Sequence, residues 1–155
     1  MKTNEITQQM KKNSFTRKLY LGTFPADKIP KRPQKNSCFI SNTHPHTKPG
    51  QHWVAVYVNH KGIPYYYDPY GIPPISIYHL KFLNRASEGR WFFNSKQVQS
   101  LHSRRCGWLC ISFLIKACRT KSPKQVVQNM VNMNPLATDR VLNSRVEQIQ
   151  KRKKK

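Results

Sequence analysis

Residues 52–68 read HWVAVYVNHKGIPYYYD, and this stretch decides the fold class. His52 to Val58 alternates bulky and β-branched residues, a pattern typical of a β-strand. Ile63 to Asp68 is a second strand-like run, rich in tyrosine, and the four residues 59–62 between the two runs favour a turn. The stretch therefore predicts an antiparallel β-hairpin.

The register of this hairpin decides whether His52 and Asp68 can meet. A three-residue loop over 59–61 places His52 directly opposite Asp68 on the same face of the sheet, with Cβ atoms about 5 Å apart. A loop of different parity would place the two side chains on opposite faces. A carboxylate in an aromatic strand is costly to bury unless it is paired, which favours an Asp68–His52 pair. The alternative is that Asp68 only begins the Asp-Pro-Tyr-Gly turn and His52 is an ordinary strand histidine.

The flanking segments complete the predicted architecture. Cys38 to Ser41 and Trp91 to Phe93 are typical of short strands, Leu80 to Ala86 of a short helix, and Gly107 to Cys118, which is apolar nearly all round, of a buried central helix. Residues 25–36 and 43–50 are predicted loops, and further helices are predicted over residues 124–132 and 138–150. We expect an α+β fold with a central mixed or antiparallel sheet packed against the buried helix. It forms a single domain over residues 1–155, with flexible basic ends at about 1–13 and 151–155.

The charge of the chain indicates a polyanionic partner. The sequence has 28 Lys and Arg against 6 Asp and Glu, a formal net charge of +22. Nucleic acid is the partner that such a charge favours, through the release of counterions. A terminal lysine run can also be a frayed tail or a localisation signal. The candidate DNA contacts are Lys11, Lys12, Lys31, Arg32, Lys151 and Arg152.

The four cysteines indicate free thiols in a reducing compartment. The chain opens without a signal-peptide pattern, and no apolar run reaches the roughly 18 residues of a membrane helix, so we expect neither secretion nor membrane insertion. A zinc site built on His44 and His46 with cysteines lacks the usual ligand spacing, and no metal is expected.

Cys106 differs from the other cysteines by its position. It directly precedes the predicted apolar helix, where the partial positive charge of a helix N-terminus lowers the pKa of a thiol. Arg104 and Arg105 are expected to lower it further, and Gly107 leaves room beside the thiol. Cys38, Cys110 and Cys118 are interpreted as core residues. The alternative for Cys106 is an unreactive cysteine at a helix start.

Gln99 stands seven residues before Cys106. A glutamine side-chain NH₂ can donate to a developing oxyanion beside a backbone N–H, although most loop glutamines have no such role. His52, Asp68, Gln99 and Cys106 then form an ordered set, and a Cys–His pair with an orienting carboxylate is a recognised nucleophilic arrangement.

Several motifs in this order resemble those of adenain, the adenovirus endopeptidase family, over roughly residues 19–118. They are Leu21-Gly22-Thr23-Phe24, Cys38-Phe39-Ile40-Ser41-Asn42-Thr43, Gly50-Gln51-His52-Trp53, Tyr66-Tyr67-Asp68-Pro69-Tyr70-Gly71, and Val98-Gln99-Ser100 followed by Cys106-Gly107. The resemblance implies that Cys106 is the nucleophile, His52 its base, Asp68 the orienting acid and Gln99 an oxyanion-hole donor. It also implies the papain-like arrangement of adenain.

The same resemblance implies a function. It implies hydrolysis of viral structural precursor proteins during virion maturation, self-cleavage included, by a monomeric enzyme in the host nucleus and the virion. Double-stranded DNA is the implied activator, and no small-molecule cofactor is expected. Adenain is also activated by a peptide that forms a disulfide with the enzyme, but no cysteine lies between Cys38 and Cys106 to accept it. A peptide activator therefore stays open as an alternative, without that disulfide. Adenain usually has Glu at the position of Asp68, whereas related proteases of ubiquitin-like proteins commonly use Asp.

Two rival functions remain open. One is a protease or isopeptidase that acts on ubiquitin-like modifiers, and the other is an inactive fold kept as a basic DNA-binding protein.

Overall fold

The computed structural model describes residues 1–47, 52–98 and 105–133. The helices are α1 (Thr3–Lys12), α2 (Ile77–Asn84), α3 (Cys106–Thr120) and α4 (Pro123–Met133), and the strands are β1 (Tyr20–Phe24), β2 (Ser37–Asn42), β3 (Trp53–Val58), β4 (Pro64–Tyr67) and β5 (Phe92–Phe93). The predicted α+β class is confirmed. Gln99, Arg104, the predicted helix over 138–150, and Lys151 and Arg152 with the rest of the basic C-terminal end lie outside the described residues.

The five strands form one mixed sheet in the order β1-β2-β3-β4-β5. The central pairs β2–β3 and β3–β4 are antiparallel, whereas the outer pairs β1–β2 and β4–β5 are parallel. All six residues of β2 and all four of β4 are buried, which explains why both strands read as continuous runs rather than as alternating patterns.

The predicted hairpin forms, but with a different register. Val58 pairs with Pro64, so the loop has five residues rather than three, and the pairing ends at Ala55 and Tyr67, before it reaches His52 and Asp68. The reason is local: Asn59 Oδ1 accepts the backbone N–H groups of Lys61 and Ile63, and Gly62 adopts a positive φ of 80°. Because the parity of the loop is unchanged, His52 and Asp68 still share a face of the sheet.

The basic N-terminal segment, expected to be a flexible end over residues 1–13, contains a helix. Residues Thr3–Lys12 form α1, which packs against β1 and α3. Ile6 and Met10, four positions apart on one helical face, are fully buried in the core. Burial of this apolar pair explains why a mostly polar segment is ordered, and it leaves Lys11 and Lys12 exposed at the end of the helix.

The core lies on both faces of the sheet. On one face α3 packs its buried side against β3 and β4, and Phe113 stacks on Tyr67 with ring centroids 4.3 Å apart. On the other face, Phe82 and Leu83 of α2 pack against residues of β2, β3 and β4. The segment predicted as a buried central helix is α3, and it is buried on one side only, since Trp108 is 53% exposed. Among the described helices, no segment is long and apolar enough to cross a membrane.

Candidate active site

His52 and Asp68 lie just beyond the adjacent ends of β3 and β4, and their side chains meet there. His52 Nε2 is 2.7 Å from Asp68 Oδ1. The same carboxylate oxygen accepts the backbone N–H of Tyr70 at 2.7 Å. Asp68 is only 3% exposed, so these two donors provide the pairing that a buried carboxylate requires.

Tyr70, which the sequence analysis treated only as part of a turn, fixes the plane of the His52 ring. The two rings stack with centroids 4.4 Å apart and an angle of 17° between their planes. Tyr70 lies in the turn that follows β4, which the Gly71 N–H closes on the carbonyl of Asp68 and the Tyr70 N–H ties to the Asp68 carboxylate. The signal available in the sequence was the aromatic residue within the Asp-Pro-Tyr-Gly turn that begins at Asp68.

Asn94 is a second residue that the sequence analysis missed. Its side chain accepts the backbone N–H of Asp68 at 2.8 Å and donates to the backbone carbonyl of Asp68 at 2.6 Å. Asn94 is only 2% exposed. A lone amide directly after the apolar run Trp91–Phe93 was the signal available in the sequence.

Cys106 is the first residue of α3, as the sequence predicts, and α3 packs against β3. Gly107 permits a close approach here: a Cβ atom at this position would lie 3.0 Å from Met1 Sδ and 3.4 Å from Trp53 Cδ1. Trp53, the residue after His52, donates its Nε1–H to the carbonyl of Met1 at 3.2 Å. The N-terminal residue, which no sequence pattern singled out, thus packs beside the start of α3.

The electrostatics of His52 and Cys106 favour a charged pair. Burial disfavours the imidazolium, but Asp68 and Cys106 outweigh it and raise the pKa of His52 to about 9. Burial likewise disfavours the thiolate, but His52 and the backbone N–H groups of Trp53 and Gly107 outweigh it and lower the pKa of Cys106. Both shifts favour a thiolate beside an imidazolium.

The two ring nitrogens of His52 differ in their hydrogen-bond partners. Nε2 is taken by Asp68, whereas Nδ1 is buried and has no partner of hydrogen-bond geometry among the described residues. His52 and Cys106 each favour the charged form of the other, which raises the pKa of the imidazole and lowers that of the thiol. Such a pair beside a carboxylate supports nucleophilic attack on a carbonyl.

The other cysteines lie in the core, as predicted. Cys110 is fully buried, with its Sγ 3.4 Å from the carbonyl oxygen of Trp53, and burial raises the pKa of its thiol. Cys38 of β2 and Cys118 of α3 are buried with their sulfur atoms 3.8 Å apart. All four cysteines are free thiols.

A cavity of about 210 Å³ opens beside the His52–Asp68 pair. It is mostly apolar, and Ile72 and Ile75 on its rim are 42% and 78% exposed. His79, which is 2% exposed, lines the same cavity. The volume exceeds that of several waters at about 30 Å³ each and falls below the roughly 300 Å³ of typical small-molecule pockets, so it suits a single side chain.

The remaining candidate residues are scattered or outside the described ranges. Gln99 is not described, but its neighbour Val98 is buried and donates its backbone N–H to the carbonyl of Pro69 at 2.7 Å. Lys11, Lys12, Lys31 and Arg32 are exposed.

His46 pairs with Asp27, and this pair and His52–Asp68 are the ion pairs formed between described residues. In the same ranges, no three His, Cys, Asp or Glu side chains gather as a metal site.

Comparison with known proteins gives one informative similarity. No protein-family model matches the chain. Over 94 residues the chain is 32% identical to a protein named Protease from Bovine adenovirus C serotype 10. The match covers 52% of this chain and 48% of that protein, so the chain spans about half the length of the curated relative it matches. The sequence is therefore similar, over part of its length, to a viral protease.

Proposed function

We propose that this protein is a DNA-associated cysteine endopeptidase of the adenain type, which hydrolyses viral structural precursor proteins during virion maturation. The observation that carries the proposal is the buried Asp68–His52 pair, coupled to a thiol of lowered pKa at the first residue of α3. The similarity to an adenovirus protease over 94 residues supports the same activity.

In the proposed reaction, the Cys106 thiolate attacks the carbonyl carbon of the scissile peptide bond. His52, protonated in the charged pair, gives its proton to the leaving amine as the C–N bond breaks. The deprotonated ring then takes a proton from water, which attacks the acyl-enzyme and releases the carboxylate product. Asp68 does not transfer a proton and only holds the ring of His52 in the productive orientation.

The negative charge that develops on the carbonyl oxygen needs donors. The backbone N–H of Cys106, at the start of α3, is one proposed donor, because a helix N-terminus carries unsatisfied N–H groups. The side-chain NH₂ of Gln99 is the second. The cavity rimmed by Ile72 and Ile75 is the proposed place for one substrate side chain, beside His52.

DNA is the proposed activator and partner. The +22 charge, with exposed Lys11, Lys12, Lys31 and Arg32 on the folded part, favours a polyanion through counterion release. Binding to packaged DNA would concentrate the enzyme near DNA-associated precursor proteins in the host nucleus and the virion. The proposal does not include activation through a disulfide-linked peptide.

The experiment that tests the proposal is cleavage of a fluorogenic panel of glycine-rich peptides, with and without duplex DNA, at low and high salt. Cys106→Ala serves as the blank, and we expect it to abolish turnover while DNA binding is retained. Cleavage should rise with DNA and fall as salt screens the phosphate contacts. Turnover by Cys106→Ala equal to that of the wild type would refute the mechanism.

Two other outcomes would favour the rival functions. Cleavage that is indifferent to DNA, together with processing of a ubiquitin-like fusion, would favour a protease of ubiquitin-like modifiers, to which Asp68 is also suited. Strong salt-dependent DNA binding with a Cys106 that resists iodoacetamide at neutral pH would favour an inactive DNA-binding protein.

A further inference from the structure

We infer that Asn94 is a positioning residue: its side chain holds the backbone of Asp68 so that the carboxylate stays directed at His52. The inference rests on the proposed function for its effect on turnover. Its effect on the His52 ring can be measured without any substrate.

Asn94 replaces a strand partner at the point where β4 ends. The last β4 residue is Tyr67, and the parallel pairing with β5 reaches Tyr66 and Phe93. Beyond it, the amide of Asn94 bonds both the N–H of Asp68, at 2.8 Å, and its carbonyl, at 2.6 Å. A carboxamide carries one acceptor and one donor group in a fixed fork, so it can satisfy a whole backbone residue as a neighbouring strand would.

The next segment secures the same turn from its other side. Gly71 donates its N–H to the Asp68 carbonyl at 2.8 Å and has a φ of 70°. A Cβ atom at Gly71 would lie 2.8 Å from the carbonyl carbon of Lys96, so the turn and the 94–98 segment are in direct contact. The backbone N–H of Val98 adds to this contact by donating to the carbonyl of Pro69 at 2.7 Å. Asn94 also donates to the carbonyl of Lys96 at 3.1 Å, which ties its amide to this segment.

The orientation of the Asp68 carboxylate follows from its backbone. Asp68 Oδ1 serves two donors, His52 Nε2 and the N–H of Tyr70, each at 2.7 Å. Hydrogen bonds weaken steeply when the donor angle departs from linearity, so rotation of the Asp68 backbone would loosen the bond to His52. A loosened bond would reduce the proton affinity of the His52 ring. It would also allow the ring to rotate out of its orientation beside Cys106.

The test is the titration of the His52 imidazole, followed by NMR on protein with ¹³C-labelled histidine, in the wild type and in Asn94→Ala. The wild-type midpoint should lie near pH 9. In Asn94→Ala we expect a fall of roughly one pH unit, which is a tenfold loss of proton affinity, and slower alkylation of Cys106 by iodoacetamide at neutral pH. Asn84→Ala, which removes an exposed asparagine at the end of α2, should leave both readouts unchanged.

The possible outcomes separate the inference from the proposed function. A less stable Asn94→Ala protein with an unchanged His52 midpoint would overturn the inference and leave Asn94 a purely structural residue. A wild-type midpoint near the ordinary value of about 6.5 would instead refute the charged pair on which the proposed function depends. If Asn94→Ala does not fold, Asn94→Ser is measured in its place, and an unchanged midpoint there would overturn the inference equally.

Discussion

His79 gives the protein a specific sensitivity to acid. Its ring, on α2, is 2% exposed, and its Nε2 lies 2.9 Å from Ser41 Oγ. The Ser41 hydroxyl donates its hydrogen to the carbonyl of Asn42 at 3.0 Å, so Nε2 carries the proton and donates to Ser41. Nδ1 is buried and has no hydrogen-bond partner among the described residues. Protonation of Nδ1 would therefore place an unpaired charge in the interior.

The size of the effect follows from the pKa values of the folded and unfolded states. Burial lowers the pKa of His79 to about 4, whereas an unfolded histidine titrates near 6.5. Because the folded pKa is the lower one, the unfolded state binds the proton first as the pH falls, and stability is lost from about pH 6.5 downwards. The loss should reach about 2 kcal/mol at pH 5 and about 3 kcal/mol near pH 4.

The assay compares urea unfolding at pH 7.5 and pH 5 for the wild type and for His79→Gln. The glutamine amide retains a donor for Ser41 but does not titrate, so the difference in unfolding free energy between the two pH values should shrink by about 2 kcal/mol. Only the pH dependence is compared, since the substitution itself changes packing. His60→Gln, at an exposed loop histidine, is the matched control. An equal loss of stability between pH 7.5 and pH 5 in the wild type and His79→Gln would refute the reasoning.

Three further predictions concern the site and its support. In Asp68→Asn the pKa of His52 should fall from about 9, because burial of the ring then dominates. Turnover should drop severely while the circular dichroism spectrum stays that of the wild type, and unchanged turnover would contradict the role of Asp68. Gly71→Ala should lower the urea midpoint and the free energy of unfolding by about 1–3 kcal/mol, because the residue has a φ of 70° and its Cβ would lie 2.8 Å from the backbone of Lys96. A midpoint equal to that of the wild type would count against this contact. Oxidised glutathione should join Cys38 to Cys118 in a disulfide and release two molecules of reduced glutathione, because the two sulfur atoms lie 3.8 Å apart. Mass spectrometry of the peptides would detect the disulfide. Persistence of both thiols, or the same product in Cys118→Ser, would contradict the prediction.

The pairing of His52 with Asp68 could be predicted even though the predicted register was wrong. The side-chain direction in a strand has a period of two residues, so a loop longer by two residues preserves the shared face. The stacking of Tyr70 on the imidazole was not predicted, because it depends on the turn that follows β4. The loop length depends on the Asn59 side chain and on the positive φ of Gly62, which strand patterns do not report.

Contacts between segments distant in sequence could not be predicted, for a different reason. The order of α1 depends on burying Ile6 and Met10 against a core that only the folded chain provides. Asn94 and Asp68 are 26 residues apart, and only the parallel β4–β5 pairing brings them together. A single polar residue after an apolar run is too common in loops to identify such a partner from sequence alone.

The pairing of charges has a consequence for handling the protein. In both ion pairs between described residues the partner of the carboxylate is a histidine, and the whole sequence has six Asp and Glu against 28 lysines and arginines. The protein is thus a polycation whose excess charges repel one another, and folding of the described residues brings part of that charge together. Its melting temperature should rise when mobile anions screen the surface. A polyanion bound across the surface would neutralise these charges, so the fold should be more stable with the polyanion bound than in dilute buffer.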